Sequence, residues 1–279
     1  MLIYANGFWV PAEEATVPFN DQGFLYGDSL FETIRVNEGQ PFRVEKHQQR
    51  MQSGMDTIRL NGERLLEAIP NLLQTFIKKN EVHSALVKVM VTRGVLDPSQ
   101  DPASEKPAIY MTSRPIPTAS EWPVQIVFLE EKNYPLLRFY PAIKSGNYLG
   151  NMLAKKDATA LGAFEPVFVN REGYITECAI RNIFFVKDNV LHTPNVKLGV
   201  LPGVIRDAIM ELARKRGMQV EESFILKKDV HTMDEAFISS TGVGVLPVTW
   251  DGFESAYPHS RQLRSDLEQL FKSGDSNVT

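Results

Sequence analysis

The sequence predicts an α+β fold in two domains. Short strand patterns are interspersed with a few amphipathic helical patterns, and neither a long all-strand run nor a regular strand–helix–strand alternation is present. Without that alternation, a doubly wound parallel sheet is disfavoured. A proline-rich segment, residues 114–123, interrupts these patterns and marks the predicted domain boundary.

The first half of the chain begins with two short strand patterns around Asn6-Gly7, which predict a β-hairpin. A second hairpin is expected, with a strand at 30–36 and a turn at 37–40. Apolar residues then recur at three- and four-residue spacing, which predicts two consecutive helices, and two strands follow them. The predicted helices span 44–60 and 63–79, and the predicted strands span 84–92 and 108–113.

The second half mixes short strands with two helices, expected over 147–161 and 203–216. Gly217 suits the position after the second of these helices, because a glycine easily adopts the left-handed conformation that often ends a helix. We therefore expect an N-terminal domain over 1–117, a linker over 118–124 and a C-terminal domain over 125–279.

Composition narrows the function classes. The net charge of the 279-residue chain is −4, so its charge does not favour binding to nucleic acid or to an anionic membrane. Its apolar runs are too short to span a bilayer, and no signal peptide is apparent. The single cysteine, Cys178, cannot form an internal disulfide and fits a reducing cytoplasm. With one cysteine and five scattered histidines, no metal site is predicted, and we expect a cytoplasmic protein with small-molecule partners.

Lys144 is the candidate for a reactive amine. Apolar residues precede it and predict that it ends a short strand, and Ser145-Gly146 predicts a turn that a ligand can approach closely. Partial desolvation lowers the pKa of a lysine, which makes its amine a usable nucleophile toward a carbonyl group. Tyr148 follows four residues later, where its phenol either hydrogen-bonds a ligand or lies at the edge of the core.

Glu177 is the candidate carboxylate. It stands between Thr176 and Cys178 in a segment otherwise suited to burial, and charged residues are rarely buried without a partner. A carboxylate facing a pyridine nitrogen would hold that nitrogen protonated and make the ring an electron sink. The alternative is a glutamate at a strand end that forms a salt bridge.

Three segments offer places for an anion. Residues 198–206 form a Gly/Pro-containing turn that leads into a helix, where the amides of Val204 and Ile205 and the positive helix end would bind a phosphate. Hydroxyl groups at 239–241 would add donors, and Arg50 is a further candidate unless it lies on a solvated helix face. An amine, a carboxylate and an anion site are together what a pyridoxal phosphate site requires.

A series of short motifs follows one another along nearly the whole chain. In order they are Tyr26-Gly-Asp-Ser-Leu-Phe31-Glu, Phe42-Arg-Val-Glu-Lys-His-Gln-Gln-Arg50, Val91-Thr-Arg93-Gly94, the Lys144 segment, Thr176-Glu177, Asn182-Ile-Phe, Leu201-Pro-Gly203-Val-Ile-Arg206 and Ser239-Ser-Thr241. In this order they resemble the fold-type IV pyridoxal-phosphate enzymes. That group includes branched-chain and D-amino acid aminotransferases, (R)-amine transaminases and aminodeoxychorismate lyases.

The resemblance implies a role for each motif residue. Lys144 is similar to the lysine that forms the Schiff base with pyridoxal 5′-phosphate, Glu177 to the partner of the pyridine nitrogen, and Tyr148 to the contact of the ring oxygen. The residues implied as the phosphate site are Arg50, the Val204 and Ile205 amides, Ser240 and Thr241. The family also implies a smaller N-terminal α/β domain, a larger pseudo-barrel domain and a homodimer in which the partner subunit helps to close the substrate pocket.

The substrate site departs from two patterns of the family. Phe31 stands where the D-amino acid enzymes have a tyrosine, and the strand reads Val87-Lys-Val89 where the branched-chain enzymes have Tyr-x-Arg. Four apolar residues are expected near the pocket, namely Phe31, Val87, Val89 and Ile180. Because none of them can pair with a second carboxylate, we expect apolar amino acids to be preferred over acidic ones. Arg181 either binds a substrate anion or forms an outward salt bridge. The residues expected near the substrate are Phe31, Ile180, Arg93, Arg181 and Gly242.

Transamination between an amino acid or amine and a keto acid is the function that these residues favour. The alternative is an aminodeoxychorismate lyase that releases pyruvate and 4-aminobenzoate. The sequence of the strand at 86–94 is more similar to that of the lyases. A protein that carries the cofactor without catalysis is disfavoured, because every residue that the chemistry needs is present.

Overall fold

The computed structural model describes residues 1–96, 106–118 and 123–273, and the chain divides into two compact units. Among the described residues, the first unit contains those within Met1–Ile116, the short segment Ile143–Asn147 and Lys272 with Ser273; the second contains those within Pro117–Ala142 and Tyr148–Phe271. The segment that carries Lys144 therefore belongs to the first unit although it lies far beyond the predicted boundary. Most of the predicted linker, at residues 119–122, lies outside the described residues.

The first unit is built on a six-stranded antiparallel sheet whose strand order is β2-β1-β6-β5-β3-β4. Asn6 and Gly7 both have positive φ, as the predicted hairpin turn requires. The strands of this unit are β1 Leu2–Ala5, β2 Phe8–Pro11, β3 Ser29–Asn37, β4 Gln40–Pro41, β5 Ala85–Thr92 and β6 Ala108–Arg114, and its helices are α1 Gln22–Tyr26, α2 Val44–Ile58 and α3 Glu63–Lys79.

The two faces of this sheet differ in character. Leu30, Ile34, Val87 and Val89 point to one face, where they form the core with apolar residues of α2 and α3. Since side chains alternate along a strand, the residues between them point to the opposite face. The expectation that Val87 and Val89 line a substrate pocket is therefore wrong, because both are fully buried in this core.

The second unit contains an eight-stranded mixed sheet of order β12-β11-β10-β13-β14-β7-β8-β9. The sheet curls, because Ile175 N in β9 at one end donates to Ile225 O, just beyond β12 at the other end, at 2.8 Å. The strands are β7 Val124–Glu130, β8 Glu165–Val169, β9 Ile175–Cys178, β10 Asn182–Lys187, β11 Val190–Pro194, β12 Gln219–Ser223, β13 Glu235–Ser240 and β14 Gly244–Thr249, and the helices are α4 Leu149–Ala160, α5 Val204–Lys215 and α6 Pro258–Ser273.

The large apolar core of the second unit is formed mainly by strand residues on one face of the curled sheet, among them Val167, Phe185 and Ile238. Phe184 and Phe237 alternate with these residues along β10 and β13 and stack on the other face at a centroid distance of 4.8 Å. The predicted α+β fold is confirmed. None of the helices in the described ranges is both long and apolar enough to cross a membrane.

Candidate functional site

Lys144 lies in an irregular segment that hydrogen-bonds to the beginning of β3. Phe31 N donates to Lys144 O at 2.9 Å, and Gly146 N donates to Ser29 O at 2.9 Å. The prediction from its apolar neighbours that Lys144 ends a strand is therefore wrong. Instead, two backbone hydrogen bonds to β3 fix the chain at and just after this residue.

Gly146 leaves little space between this segment and the Ser29 side chain at the start of β3. A Cβ atom at Gly146 would lie 2.2 Å from Ser29 Oγ. Asn147 then holds the end of the segment, since its Nδ2 donates to Gly27 O and to Ser145 Oγ, both at 2.8 Å. The small residues that follow Lys144 in the sequence thus serve to press this segment against the sheet.

The Lys144 amine lies over an aromatic ring. Its Nζ is 4.5 Å from the centroid of Phe31, and the residue is half-buried. The negative face of an aromatic ring attracts an ammonium group. Phe31, which was expected near the substrate, therefore lies in direct contact with the predicted reactive amine.

Arg50 forms a buried ion pair with Glu32. Its Nε donates to Glu32 Oε1 at 2.8 Å and its Nη2 donates to Oε2 at 2.5 Å, while His47 Nδ1 lies 2.6 Å from the same Oε2. Burial alone would raise the pKa of Glu32, but the charge of Arg50, helped by His47, lowers it to about 2. Burial lowers the pKa of His47. Arg50 is thus held in place by a carboxylate rather than lying on a solvated helix face.

Arg93 is occupied by contacts within the first unit. Its Nε donates to Asp28 Oδ2 at 2.6 Å, and its Nη2 donates to Ile58 O at 2.8 Å at the end of α2. Arg59 O accepts a further bond from Nη1 at 3.1 Å. These contacts join β3, β5 and α2, and they favour a structural role for Arg93 over the substrate contact expected from the sequence.

In the second unit, the Glu177 carboxylate accepts hydrogen bonds on both oxygens. Arg138 Nη1 donates to Oε1, and Leu201 N donates to Oε2 at 3.1 Å. The salt bridge considered as an alternative from the sequence is therefore present. It is compatible with a further partner, because a carboxylate offers about four acceptor positions.

Arg138 connects Glu177 to a second carboxylate. Its Nε and Nη2 donate to Glu131 Oε1 at 3.0 and 2.5 Å, and Thr176 Oγ1 donates to the same oxygen at 2.6 Å. Burial alone would lower the pKa of Arg138, but the charges of Glu177 and Glu131 raise it above its usual value. Glu177 therefore lies against a guanidinium group that is held between two carboxylates.

Helix α5 begins in a way that suits an anion. Gly203 is its N-cap and makes no side-chain cap hydrogen bond. The first amides of a helix have no acceptor within the helix, and with the helix dipole they attract negative charge. A Cβ at Gly203 would lie 2.1 Å from Asn182 Oδ1, while Asn182 Nδ2 donates to Leu201 O at 2.8 Å. The segment before α5 is therefore packed tightly, and Val204 and Ile205 follow it directly.

The end of β13 lies beside this segment. Ser239 is the sheet partner of Asn182, and Ser239 Oγ is buried with no hydrogen-bond partner among the described residues. Ser240, Thr241 and Gly242 follow in a half-buried turn, in which Val243 N donates to Ser240 Oγ at 3.4 Å. Hydroxyl groups and the α5 terminus are thus neighbours within the second unit.

Arg181 is paired with a fully buried carboxylate. Its Nη1 donates to Glu165 Oε2, to which Lys155 Nζ also donates at 2.9 Å, and Ile180 N donates to Glu165 Oε1 at 3.1 Å. The arginine side chain is only 9% exposed, so its salt bridge does not point outward. This cluster fixes the turn after Glu177, in which Ile180 itself is 40% exposed.

Each unit thus gathers part of the residues that a pyridoxal phosphate would need. The first unit holds Lys144 against Phe31 and orients Arg50. The second unit supplies the anionic Glu177, a helix terminus without a side-chain cap, and the buried Ser239 hydroxyl that has no partner in the described structure. This set of donors fits the amine, ring-nitrogen and phosphate contacts of that cofactor. By contrast, no group of three metal-binding side chains exists in the described ranges.

The sequence did not identify Arg138 or Glu131 as residues of the site. It placed Glu32 and His47 within motifs but predicted no contact for either. Arg138 did leave a signal, because it stands alone among apolar and aromatic residues at 136–140. A lone arginine in such a stretch is expected to be paired. Its partners, however, lie seven and 39 residues away in the sequence.

Known proteins are similar to this chain over most of its length. A family profile described as "Amino-transferase class IV" matches residues 29–250. A putative branched-chain-amino-acid aminotransferase of Methanocaldococcus jannaschii is 33% identical over 89% of this chain and 87% of that protein. A D-alanine aminotransferase of Listeria monocytogenes is 32% identical over 97% and 95% of the two chains. The solved structure of the branched-chain amino acid aminotransferase from Escherichia coli superposes with a TM-score of 0.87 at 27% identity, covering 100% of this chain and 97% of that one.

Proposed function

The chain belongs to the class IV aminotransferases, and we propose that it transfers amino groups between amino acids and keto acids with pyridoxal 5′-phosphate as its cofactor. The observation that carries this proposal is the position of Lys144. Two backbone hydrogen bonds to β3 hold it, and its amine lies against Phe31. An amine that acts first as an attachment point and then as a base needs such a fixed backbone.

The residues proposed to hold the cofactor are those that the motif resemblance implies. Lys144 would bind it covalently, Tyr148 would contact the ring oxygen, and Glu177 would pair with the ring nitrogen. The residues proposed for the phosphate are Arg50, the amides of Val204 and Ile205, Ser240 and Thr241. When bound, pyridoxal phosphate supplies an electron-withdrawing ring that stabilises negative charge at the reacting carbon.

Lys144 would perform the proton transfer. Once the substrate amine has taken its place, Nζ of Lys144 is a free amine and can remove the proton from the substrate α-carbon. Phe31 limits access of water to this amine on one side, since its ring covers Nζ. The fixed backbone keeps the amine near the carbon on which it acts, which is where proximity contributes most.

Glu177 would maintain the charge that the chemistry needs. Arg138 and the Leu201 amide hold its carboxylate in one orientation. An anion in that position favours the protonated form of a pyridine nitrogen. Glu177 would therefore strengthen the electron-withdrawing character of the ring without moving during the reaction.

A homodimer is the expected assembly. Phe19, Phe24, Leu25 and Tyr26 of the first unit form an exposed group of apolar residues around α1, and Phe24 is 62% exposed. Exposed apolar groups of this kind often mark an interface. Light scattering after size exclusion would test this: we expect twice the mass of one chain, and a monomer would contradict it.

Absorbance changes of the cofactor-loaded enzyme test the proposed reaction. Each candidate donor is added without a keto acid, and the fading of the cofactor band is followed. L-amino acids, D-amino acids, (R)-amines and aminodeoxychorismate form the panel. We expect at least one amino acid to react. A response to aminodeoxychorismate alone, with release of pyruvate, would show a lyase, and no response to any donor would contradict the proposal.

A further inference from the structure

On one face of β3, β5 and β6 the strand residues include basic side chains and no acidic ones, and the buried Asp21 lies at one end of this face, where Thr92 Oγ1 and Tyr110 OH donate to its Oδ2. In β3, β5 and β6, which are described throughout, alternation places on the face opposite the core three basic side chains, together with aromatic and small polar ones. The basic residues on this face are Arg35, Lys88 and Arg114. The acidic residue within these strands, Glu32, points instead to the core side, where Arg50 binds it.

Lys88 is the basic residue nearest to Lys144 on this face. Its Nζ lies 4.4 Å from the centroid of the Phe31 ring, and Lys144 Nζ lies 4.5 Å from the same centroid. The two amines are therefore separated by no more than the sum of these distances. Thr33, the sheet partner of Lys88, stands two residues from Phe31 on the same face.

Among the described residues, the ammonium group of Lys88 has no counter-ion. It is half-buried, and within the described part of the chain it makes neither a hydrogen bond nor an ion pair. Burial, followed by the charges of Lys144 and Arg114, lowers the pKa of Lys88. An anion placed beside it would relieve both effects, so the site is suited to a negatively charged ligand.

We infer that Lys88 binds the α-carboxylate of the amino-acid substrate. This inference rests on the proposed function, because the reacting amino group must come to the place of the Lys144 amine. The α-carboxylate is attached to the same carbon as that amino group, so it must lie close to Lys144. Lys88 is the ammonium group that shares the Phe31 ring with Lys144, and a carboxylate there would accept a charge-assisted hydrogen bond.

The arginines Arg93, Arg181, Arg35 and Arg114 are less suited than Lys88 to bind the substrate carboxylate. Arg93 is bonded to Asp28 and to backbone oxygens at the end of α2, and Arg181 is bonded to Glu165. Arg35 and Arg114 are the sheet partners of Leu86, whereas Phe31 pairs with Met90. Leu86 is four residues from Met90 along β5 and Lys88 is two, so both arginines lie farther from Phe31 than Lys88 does. Lys88 therefore supplies the carboxylate-binding group for which the D-amino acid enzymes use the tyrosine at the position of Phe31 and the branched-chain enzymes use Tyr-x-Arg.

The test compares ligands that differ only in the carboxylate. Binding of pentanoate and of pentanamide to the cofactor-loaded enzyme is measured by calorimetry for the wild type, Lys88→Met and Lys88→Gln. We expect both variants to weaken pentanoate binding by about 10- to 100-fold, as expected for loss of a hydrogen bond to a charged group, and to leave pentanamide unchanged. Lys79→Met is the matched control, since Lys79 also lies over an aromatic ring, 5.6 Å from Trp9, but on the exposed side of α3.

A kinetic arm uses the amino acid that reacts best and the primary amine that lacks only its carboxylate. In the Lys88 variants, KM should rise for the amino acid, while kcat/KM for the amine stays constant. Equal losses for both donors, or unchanged pentanoate affinity in both variants, would overturn the inference. Wild-type enzyme that transfers no amino group would overturn the proposed function instead, and a selective loss of pentanoate binding would still support Lys88 as a carboxylate site.

Discussion

Arg138 and Glu177 form an ion pair within the second unit, in which Nη1 of the arginine donates to Oε1 of the glutamate. The other carboxylate oxygen receives the Leu201 amide, so both oxygens of Glu177 are oriented by the protein. The ion pair and the amide hold the carboxylate of Glu177 in β9 beside the segment that precedes α5. A ring nitrogen that must stay protonated requires a fixed anion of this kind.

Glu177→Gln should retain the cofactor and lose most activity. An amide can still contact a ring nitrogen, but it no longer stabilises the protonated form, so the barrier rises. We expect kcat to fall on the order of 100-fold, which corresponds to about 3 kcal/mol. Glu172→Gln, an exposed residue of the neighbouring turn, serves as the control. A kcat near that of the wild type would show that Glu177 is only structural.

Arg138→Met should leave two carboxylates close together without their cation. Glu131 and Glu177 both bind this arginine through their Oε1 atoms. Removing one partner of such a partly buried cluster costs about 3 kcal/mol, so thermal unfolding should shift clearly downward. Adding Glu131→Gln should recover part of that loss, because it removes one of the two repelling charges. A double variant no more stable than Arg138→Met would contradict this account of the cluster.

Arg50→Ala and Arg181→Ala should differ in what they lose. Arg50 is matched to a phosphate, for which a guanidinium is a strong donor, so its removal should increase cofactor loss during dialysis. Each arginine binds a buried carboxylate, Glu32 for Arg50 and Glu165 for Arg181, so both removals should lower the unfolding temperature, but Arg181→Ala should leave cofactor content intact. Dialysis followed by absorbance measures the first effect, and calorimetry measures the second. Loss of cofactor in Arg181→Ala but not in Arg50→Ala would reverse these assignments.

Glu32 should make the apoprotein sensitive to acid. Its pKa is about 2 in the folded protein, against 4.5 for an ordinary glutamate. A lowered pKa means that this carboxylate contributes stability above pH 4.5 and that the contribution is lost as the pH falls toward 2. Glu32→Gln should therefore unfold at a lower temperature at pH 7 and depend less on pH between 4.5 and 3. Glu38→Gln, in the exposed turn after β3, should follow the wild-type profile.

The regular elements of the first unit were predictable because local patterns decide them. The helix predicted over 63–79 has the same limits in the structure, and α2 ends two residues earlier than predicted. Two helices were missed, one in each unit. The short α1 has no buried residue and so leaves no apolar period, and α6 was not recognised although its Leu263 and Leu267 are buried.

Single residues whose type suits the chemistry could be predicted from the sequence. Contacts between residues that are far apart in the sequence could not. Lys144 and Glu177 were chosen from their neighbours, but the attachment of Lys144 to β3 depends on strand pairing that no local pattern records. Val87 and Val89 were misplaced because the sequence did not reveal which face of β5 packs on the helices. The expected apolar pocket therefore keeps Phe31 and Ile180 but loses Val87 and Val89, which are buried in the core. On β5 it is Lys88 that lies on the face of Phe31.

Covalent labelling of the cofactor-loaded protein tests the central claim most directly. Borohydride reduces the bond between a lysine amine and pyridoxal phosphate to a stable one, and peptide mapping then identifies the labelled lysine. We predict a label on Lys144 and none in Lys144→Ala, which should still fold. A label on Lys88, which shares the Phe31 ring, or on Lys155 or Lys156 of α4 would contradict the account.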